Sequence, residues 1–402
     1  MHFIRRRYGT IGYMSRNGFT LLELLISIGI IAIISTVAVL SINPVEQLRQ
    51  SRDGKRVVDI QILSLSLAEA KNRNMAMGTA NVVYVSTPDT SAICANLSLP
   101  TLPPTWSYAC KTAANYLKTD GSGWLPVDIA SLGASQGTLP IDPTNSGTKG
   151  LYYTYVAGSG YALSATLESD KYFNQNGAKD GGVDPSRFEQ GSNLSLLAQA
   201  SGLVGYWAFD ETNGAVAADG SGRGHDGILS IGSPTWTAGK VDGAISFNGS
   251  SAVNAPGVST GVDFSKGHTM AAWFNPGSLA VNANIFLSFG LPYLSTHVSG
   301  NRAFHSASVG GTQKSINGAT SLAMGNWYHI VGVYDNTGVK VYINGVLDGT
   351  LAITGADTVS ANLCMGAHGC GSYWTTGKVD DVRVYNRPLS GNEIEVMYNA
   401  TK

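Results

Sequence analysis

The most constraining feature of the sequence is an apolar run near the N-terminus that contains one charged residue. From residue 19 to residue 42 the only charged side chain is that of Glu23. A helix of this length would extend roughly 36 Å, which exceeds the roughly 30 Å hydrocarbon core of a bilayer. The run therefore predicts a membrane-spanning helix.

The segment before this run is basic. It contains Arg5, Arg6, Arg7 and Arg16 and no acidic residue. By the positive-inside tendency, the leader should stay in the cytoplasm and everything after residue 42 should lie outside. We therefore predict a single-pass protein of the inner (cytoplasmic) membrane whose C-terminal part is extracytoplasmic.

Glu23 needs an explanation, because a carboxylate facing lipid costs about 2.5 to 3.5 kcal/mol and should have a partner. If the chain is cut after Gly18, the new amine of Phe19 could pair with Glu23 of a neighbouring subunit. The alternative is a signal anchor in which Glu23 is solvated near the cytoplasmic interface.

The segment GFTLLELL at 18–25 resembles the processing site of type IV prepilins and type II secretion pseudopilins. The resemblance implies cleavage between Gly18 and Phe19, methylation of the Phe19 amine and polymerisation through this helix, with Glu23 acting in assembly. It also implies three kinds of partner: a prepilin peptidase, other pilin subunits, and pilus or secretion assembly machinery.

Composition favours a turn-rich extracellular protein. Charged residues make up 13% of the chain, Gly occurs 49 times and the formal net charge is -1, so no nucleic-acid partner is indicated. The four cysteines form two close pairs, Cys94 with Cys110 and Cys364 with Cys370. In an oxidising exterior each pair predicts a local disulfide, although four cysteines allow three connectivities.

The pattern along the chain predicts a long helix with a small antiparallel sheet, which resembles an α+β pilin, followed by an all-β jelly-roll sandwich. Apolar residues at helical spacing predict an amphipathic helix: Val58, Ile62 and Leu65, together with Ile60, Leu63 and Leu67. A β-hairpin is predicted from 152–156 and 161–167. The predicted organisation is a leader at 1–18, a transmembrane and amphipathic helix at 19–77, a pilin head at 78–172, a linker at 173–202 and a sandwich at 203–402.

The linker prediction rests on the abundance of Asn, Gly, Asp and Ser in 173–202. Beyond it, short apolar segments alternate with turn residues, as in an antiparallel sandwich. In order, six segments resemble the laminin-G-like or pentraxin-like concanavalin A superfamily: YWAFD at 206–210, DGSGRGHDG at 219–227, SFNGS at 246–250, NWYHIVGVYD at 326–335, VYINGV at 341–346 and DDVRVYNRPLS at 380–390.

Catalysis is disfavoured, because glycoside hydrolysis needs two carboxyl groups on one face and no strand after residue 203 alternates acidic residues. The adjacent Asp380 and Asp381 are expected to point to opposite faces. The superfamily resemblance implies a calcium site at Asp219 and Asp381. The alternative is that Asp219 shapes an Asx-turn and Asp381 accepts a hydrogen bond from the backbone or from Arg383.

Tyr373 and Trp374 are the candidate ligand-binding aromatics. Exposed rings would stack on a sugar, whereas buried rings would cap the sandwich. His368, between Cys364 and Cys370, could suggest zinc, but a disulfide is the better interpretation outside the cytoplasm.

The sequence therefore predicts a cell-surface, type IV pilin-like subunit without catalytic residues. It would present a lectin-like domain for adhesion to glycans or surface proteins. One alternative is a pseudopilin of a type II secretion or competence (DNA-uptake) machine. Another is a surface-tethered glycoside hydrolase.

Overall fold

The computed structural model describes residues 20–133, 137–177, 179–182, 184–260, 262–279, 284–297, 301–357 and 362–402, apart from the side chains of 36–42 and 297. The predicted leader and the predicted cleavage site between Gly18 and Phe19 lie outside the described residues. Two compact units, Met1–Arg49 and Gln50–Lys402, make up the chain.

The first helix, α1, spans Leu21–Ile42 and begins with a capping box. Thr20 Oγ1 accepts a hydrogen bond from the Glu23 backbone N–H at 3.2 Å, and the Glu23 carboxylate accepts one from the Thr20 N–H at 2.9 Å. Together these bonds satisfy two backbone donors at the start of the helix. Asn43, which has left-handed backbone angles, ends α1, and Pro44 opens α2 (Pro44–Asn72), where proline suits the first helical position.

Among the described residues, no helix has both the length and the apolar character needed to cross a membrane. The predicted membrane span stays a prediction.

Only one of the two predicted apolar sets of α2 is buried. Ile60, Leu63 and Leu67 are fully buried, whereas Val58 and Leu65 are exposed. The buried stripe packs against a sheet whose described strands, in spatial order, are β2 (Ser107–Ala109), β1 (Val82–Val85), β3 (Tyr153–Ala157), β4 (Tyr161–Thr166) and β5 (Arg187–Gly191).

The predicted hairpin is confirmed as β3 and β4, which pair antiparallel with Tyr155 opposite Leu163. The alternation of a strand places Tyr153, Tyr155 and Leu163 on the helix-facing side, in one core with Trp124. A short 3₁₀ helix, Ala130–Leu132, lies between β2 and β3. The disulfide Cys94–Cys110 closes a loop that includes β2, with a Cα–Cα distance of 5.3 Å.

A buried charge cluster joins α2 to the loops around this sheet. Arg56 is fully buried and donates to Asp142 at 2.6 and 3.0 Å, to Asp53 at 2.7 Å and to Glu168 at 2.5 Å. Burial alone would lower the pKa of Arg56, but the hydrogen bonds and charge of Asp142, with help from Asp53 and Glu168, raise it above its ordinary value. The guanidinium stays charged and fixes the helix to two distant parts of the chain.

The segment predicted as a linker, 173–202, carries regular structure. It follows α3 (Asp170–Tyr172) and contains a π-helical turn (Phe173–Gly177), β5 and α4 (Ser195–Ala200). Part of the segment predicted as a linker therefore belongs to the sheet: β5 pairs along β4 from Ala162 to Thr166. Its Gly and Asn residues serve turns between these elements, and composition alone does not distinguish such turns from a linker.

Helix α4 has two buried sides. We call the sheet formed by β1 to β5 the head sheet, and its face opposite α2 the second face. Leu197 and Ala200 pack on this second face, against Val83 and Val156. Ala198 packs instead with the outer face of the sandwich.

The sandwich consists of two sheets in the described residues. The first has the order β19 (Val346–Ala352), β18 (Gly338–Ile343), β17 (Tyr328–Tyr334), β12 (His268–Pro276), β21 (Thr376–Tyr385), β10 (Gly243–Asn248) and β9 (Thr235–Ala238), with β6 (Leu203–Trp207) also paired to β21. The second has the order β16 (Thr312–Ser321), β15 (Arg302–Val309), β14 (Tyr293–His297), β13 (Asn284–Ser288), β20 (Leu363–Met365), β11 (Ala252–Ala255), β8 (Gly227–Ile231) and β7 (Val216–Ala217).

The predicted jelly-roll class is confirmed, with an apolar core between the sheets. Phe274 of the first sheet stacks on Phe286 of the second at 4.5 Å, and Trp207 is fully buried beside them. The C-terminal helix α5 (Gly391–Thr401) begins with its own capping box at Ser390 and buries Ile394 on the outer face of the first sheet.

Candidate functional site

The second disulfide shapes a tight loop at the end of β20. Cys364 and Cys370 are bonded with a Cα–Cα distance of 5.4 Å, so both predicted disulfides are confirmed. Inside the loop, the His368 N–H donates to the Ser372 carbonyl at 2.8 Å. Tyr373 follows with a left-handed backbone (φ 48°), which turns its side chain into solvent, and 54% of it is exposed.

Three aromatic side chains meet at this loop, and we call them the aromatic surface: Tyr293, His368 and Tyr373. The His368 ring lies edge-on to both neighbours, with centroids 5.5 Å from Tyr293 and 6.1 Å from Tyr373. His368 Nε2 donates to the Gly290 carbonyl at 2.7 Å, which fixes the ring.

Polar groups border the aromatic surface. The side-chain amide of Gln313 donates to the Tyr293 hydroxyl at 2.9 Å, and Phe304 stacks beneath the Tyr293 ring at 5.4 Å. Burial raises the pKa of Tyr293, so its hydroxyl stays protonated at neutral pH. Rings with apolar faces and neighbouring hydrogen-bonding groups suit a ligand that is apolar on one side and hydroxylated at its rim, as a sugar is.

The two predicted ligand-binding aromatics have different environments. Tyr373 is exposed, as stacking requires, whereas Trp374 is partly buried against the disulfide cluster that includes Ala252, Cys364 and Ala367. Sequence reasoning misses Tyr293, because it is about 80 positions from Tyr373 and only the pairing of β14 with β13, and of β13 with β20, brings the two together. The sequence suggests a role for His368 only as a metal ligand.

Among the described residues, no group of three or more His, Cys, Asp or Glu side chains is placed to hold a metal ion. The Asp219 carboxylate accepts hydrogen bonds from the backbone N–H groups of Tyr206, Ser221 and His225 and from the Ser221 hydroxyl, at 2.8 to 3.0 Å. These contacts match the turn-shaping alternative. Calcium at Asp219 and Asp381 stays a prediction.

Asp381 accepts from Arg383 Nη2 at 3.0 Å, also as in the alternative. The expectation that Asp380 and Asp381 point to opposite faces misses a β-bulge: Asp380 is opposite Trp273, Arg383 is opposite Ala271, and Asp381 has φ 50°. Both carboxyls are buried. Burial, together with the charge of Asp381, raises the pKa of Asp380 to about 8, although its carboxylate accepts two backbone N–H bonds.

The assembly residue Glu23 is exposed at the first turn of α1, and its described contacts are those of the capping box with Thr20. Its proposed pairing with a neighbouring subunit's Phe19 stays a prediction. The processing residues Gly18 and Phe19 lie outside the described residues.

Comparison with known families identifies two parts of the chain. The model of the prokaryotic N-terminal methylation motif matches residues 13–39. The model of the concanavalin A-like lectin/glucanases superfamily matches residues 247–395. The chain therefore joins a methylation motif to a concanavalin A-like sandwich, as the sequence predicts.

Solved structures also align with this chain. Domain 4 of an extracellular arabinanase from Geobacillus stearothermophilus, in complex with arabinotriose, is 23% identical, with 48% of this chain and 97% of that chain covered and a TM-score of 0.38. The receptor-binding domain of botulinum neurotoxin type G is 19% identical over 49% of this chain and 51% of that one, also with a TM-score of 0.38. Trypanosoma rangeli sialidase with the inhibitor DANA is 16% identical over 61% and 43%, with a TM-score of 0.39. No curated protein matches the sequence.

Proposed function

We propose that this chain is a pilin-like cell-surface subunit that presents its sandwich for adhesion to glycans. The observation that carries the proposal is the combination of the methylation motif at 13–39 with an aromatic surface, exposed at Tyr373, on a concanavalin A-like sandwich. The motif supports processing by a prepilin peptidase and assembly with other pilin subunits, which would bring the sandwich to the cell surface.

The proposed mechanism is binding without turnover. The Tyr373 ring stacks on the apolar face of a sugar, and Gln313 and His368 lie beside it for contacts with ring hydroxyls. A single small site binds weakly, but repeated copies along a filament raise the avidity by about 10² to 10⁴ where several ligands are reached together.

A glycan array probed with the full chain in detergent micelles tests the proposal. We expect specific glycan binding that falls at least fivefold in Tyr373→Ala, in line with a loss of stacking energy of about 1 kcal/mol or more. Both residues carry a Cβ, so the positive φ at position 373 is equally unfavourable in the two proteins. Met324→Ala is the matched control, because Met324 is 61% exposed elsewhere on the sandwich.

Binding that survives Tyr373→Ala unchanged would contradict the assignment of the aromatic surface. A chain that binds no glycan would contradict adhesion and favour a pseudopilin of a secretion or competence machine. Sugar release from a bound glycan would overturn the proposal of binding without catalysis. Repeating the array with EDTA tests the predicted calcium, since loss of binding would show that the metal is needed.

A further inference from the structure

A cavity of about 730 Å³ lies between the head sheet and the sandwich, within the unit Gln50–Lys402. Its walls come from the second face of β3, β4 and β5, from α4, from β18 and from the segment 387–393. The volume is within the usual range of small-molecule sites, and sites of this kind favour domain interfaces. The cavity is separate from the aromatic surface, none of whose residues line it.

Arg187 presents its charge to this cavity. On β5, Phe188 packs into the helix-facing core, so the alternation of the strand places Arg187 on the cavity side. Its guanidinium donates to the Ser164 hydroxyl at 2.7 and 3.1 Å and to the Thr166 hydroxyl at 3.3 Å.

No carboxylate of the described residues forms an ion pair with Arg187, within a limit of 4.0 Å. Two other cations that line the cavity are paired: Lys340 with Asp335, and Arg387 with Glu393 at 2.7 Å. The described hydrogen bonds of the Arg187 guanidinium therefore go to neutral hydroxyls, whereas an arginine fork can match a carboxylate with two parallel hydrogen bonds.

Two phenol groups add unused hydrogen-bonding capacity. Tyr152 and Tyr385 line the cavity and are only 4% and 8% exposed, yet their hydroxyls have no hydrogen-bond partner among the described residues. Burial raises the pKa of Tyr152 to about 12, so its hydroxyl remains a donor at neutral pH.

We propose that this cavity binds a small hydroxylated carboxylate of monosaccharide size. Arg187 holds the carboxylate, and Tyr152 and Tyr385 bind hydroxyl groups of the ligand. This site is a second one, independent of glycan binding at the aromatic surface. A free sugar acid and the acidic end of a glycan share this chemistry.

Calorimetric titration of the full chain in detergent micelles tests the site with glucuronate and glucose, which differ in one carboxylate. We expect glucuronate to bind at least tenfold more tightly than glucose. Arg187→Gln should weaken glucuronate binding at least tenfold. Arg302→Gln is the matched control, because Arg302 is exposed on β15 and should leave binding unchanged.

Tyr152→Phe keeps the ring and removes only the hydroxyl, so it tests the site even if Arg187→Gln fails to fold. We expect a three- to tenfold loss of glucuronate affinity with an unchanged melting temperature.

Tyr373→Ala should leave glucuronate binding intact, which separates this proposal from adhesion. A disaccharide ending in glucuronate that binds as tightly as the free acid would identify a glycan end, and weaker binding would identify a free acid; both results support the site.

Three results would overturn the proposal. They are equal binding of glucose and glucuronate, no heat from glucuronate at millimolar concentration, and unchanged affinity in both the Arg187→Gln and Tyr152→Phe variants.

Discussion

Replacing Arg56 by Met should loosen the whole head. The variant keeps a long side chain of similar size and removes the one cation that three carboxylates share. Removing one partner from a buried ion pair typically destabilises by about 3 to 5 kcal/mol, because the other charge stays buried.

The structure places the expected loss at the lower end of this range. Without Arg56, Asp142 keeps backbone donors at Thr144 and Asn145, and Asp53 keeps the N–H groups of Glu168 and Ser169. Glu168 also keeps Arg52, which donates to it at 2.7 and 2.8 Å. We therefore expect a loss of about 3 kcal/mol, or roughly a 150-fold rise in the opening equilibrium of the head.

Hydrogen exchange measured by mass spectrometry on peptides from β3 and β4 reads this opening directly. Lys55→Met is the matched control, since Lys55 is the preceding residue and its ion pair with Asp59 is half exposed. Such surface pairs contribute about 0 to 1 kcal/mol. Arg56→Lys should fall between the two, because lysine keeps the charge but loses the fork on Asp142.

An equal rise in hydrogen exchange in Arg56→Met and Lys55→Met would contradict a stabilising role for the buried charge cluster. A loss below 1 kcal/mol for Arg56→Met would also refute it, because the cluster would then contribute no more than a surface pair.

Three further predictions follow from the buried carboxyl, the second disulfide and the first helix. Because the pKa of Asp380 in the folded state is raised to about 8, the folded state binds one more proton than the unfolded state between about pH 4 and 8. Stability should therefore fall as pH rises through that window, by at most about 1.4 kcal/mol per pH unit. Asp380→Asn should flatten this part of the plot of melting temperature against pH, and superimposable plots for the two proteins would contradict the shifted pKa. Replacing Cys364 and Cys370 by Ser should lower the free energy of unfolding, measured in urea, by about 2 kcal/mol and should weaken glycan binding. Unchanged glycan affinity would show that the loop holds Tyr373 in place without the disulfide. Glu23→Ala should leave membrane insertion intact and reduce incorporation into filaments, measured by sheared-filament fractionation; wild-type incorporation would remove its pairing role.

The alternation of short apolar segments with turn residues predicts the antiparallel sandwich, which the structure confirms. Spacing also predicts an amphipathic α2 that includes two apolar sets, because both sets have helical spacing. The structure selects Ile60, Leu63 and Leu67, since these face the head sheet. Spacing along a helix therefore identifies amphipathicity, but the partner sheet decides which stripe is buried.

Other features depend on contacts between distant residues and leave little local signal. Arg56 has the same sequence context as the exposed Lys55, and only Asp142 and Glu168, about 90 and 110 positions away, explain its burial. The bulge at Asp381 likewise follows from its pairing with β12. A strand pattern read alone places adjacent carboxyls on opposite faces, and one extra residue in the ladder removes that simple alternation.

The pairing of β6 with β21 sets how the sandwich responds to mechanical load. The chain enters the sandwich at Leu203, opposite Tyr385, while Tyr373 lies just before the far end of β21. Because the two strands are antiparallel, tension between a tethered head and a ligand held at Tyr373 pulls them in opposite directions along their own axes. The backbone hydrogen bonds that β6 makes between Leu203 and Trp207 are then loaded together in shear and are not broken one at a time. A subunit under tension would therefore resist forced unfolding where the chain enters the sandwich.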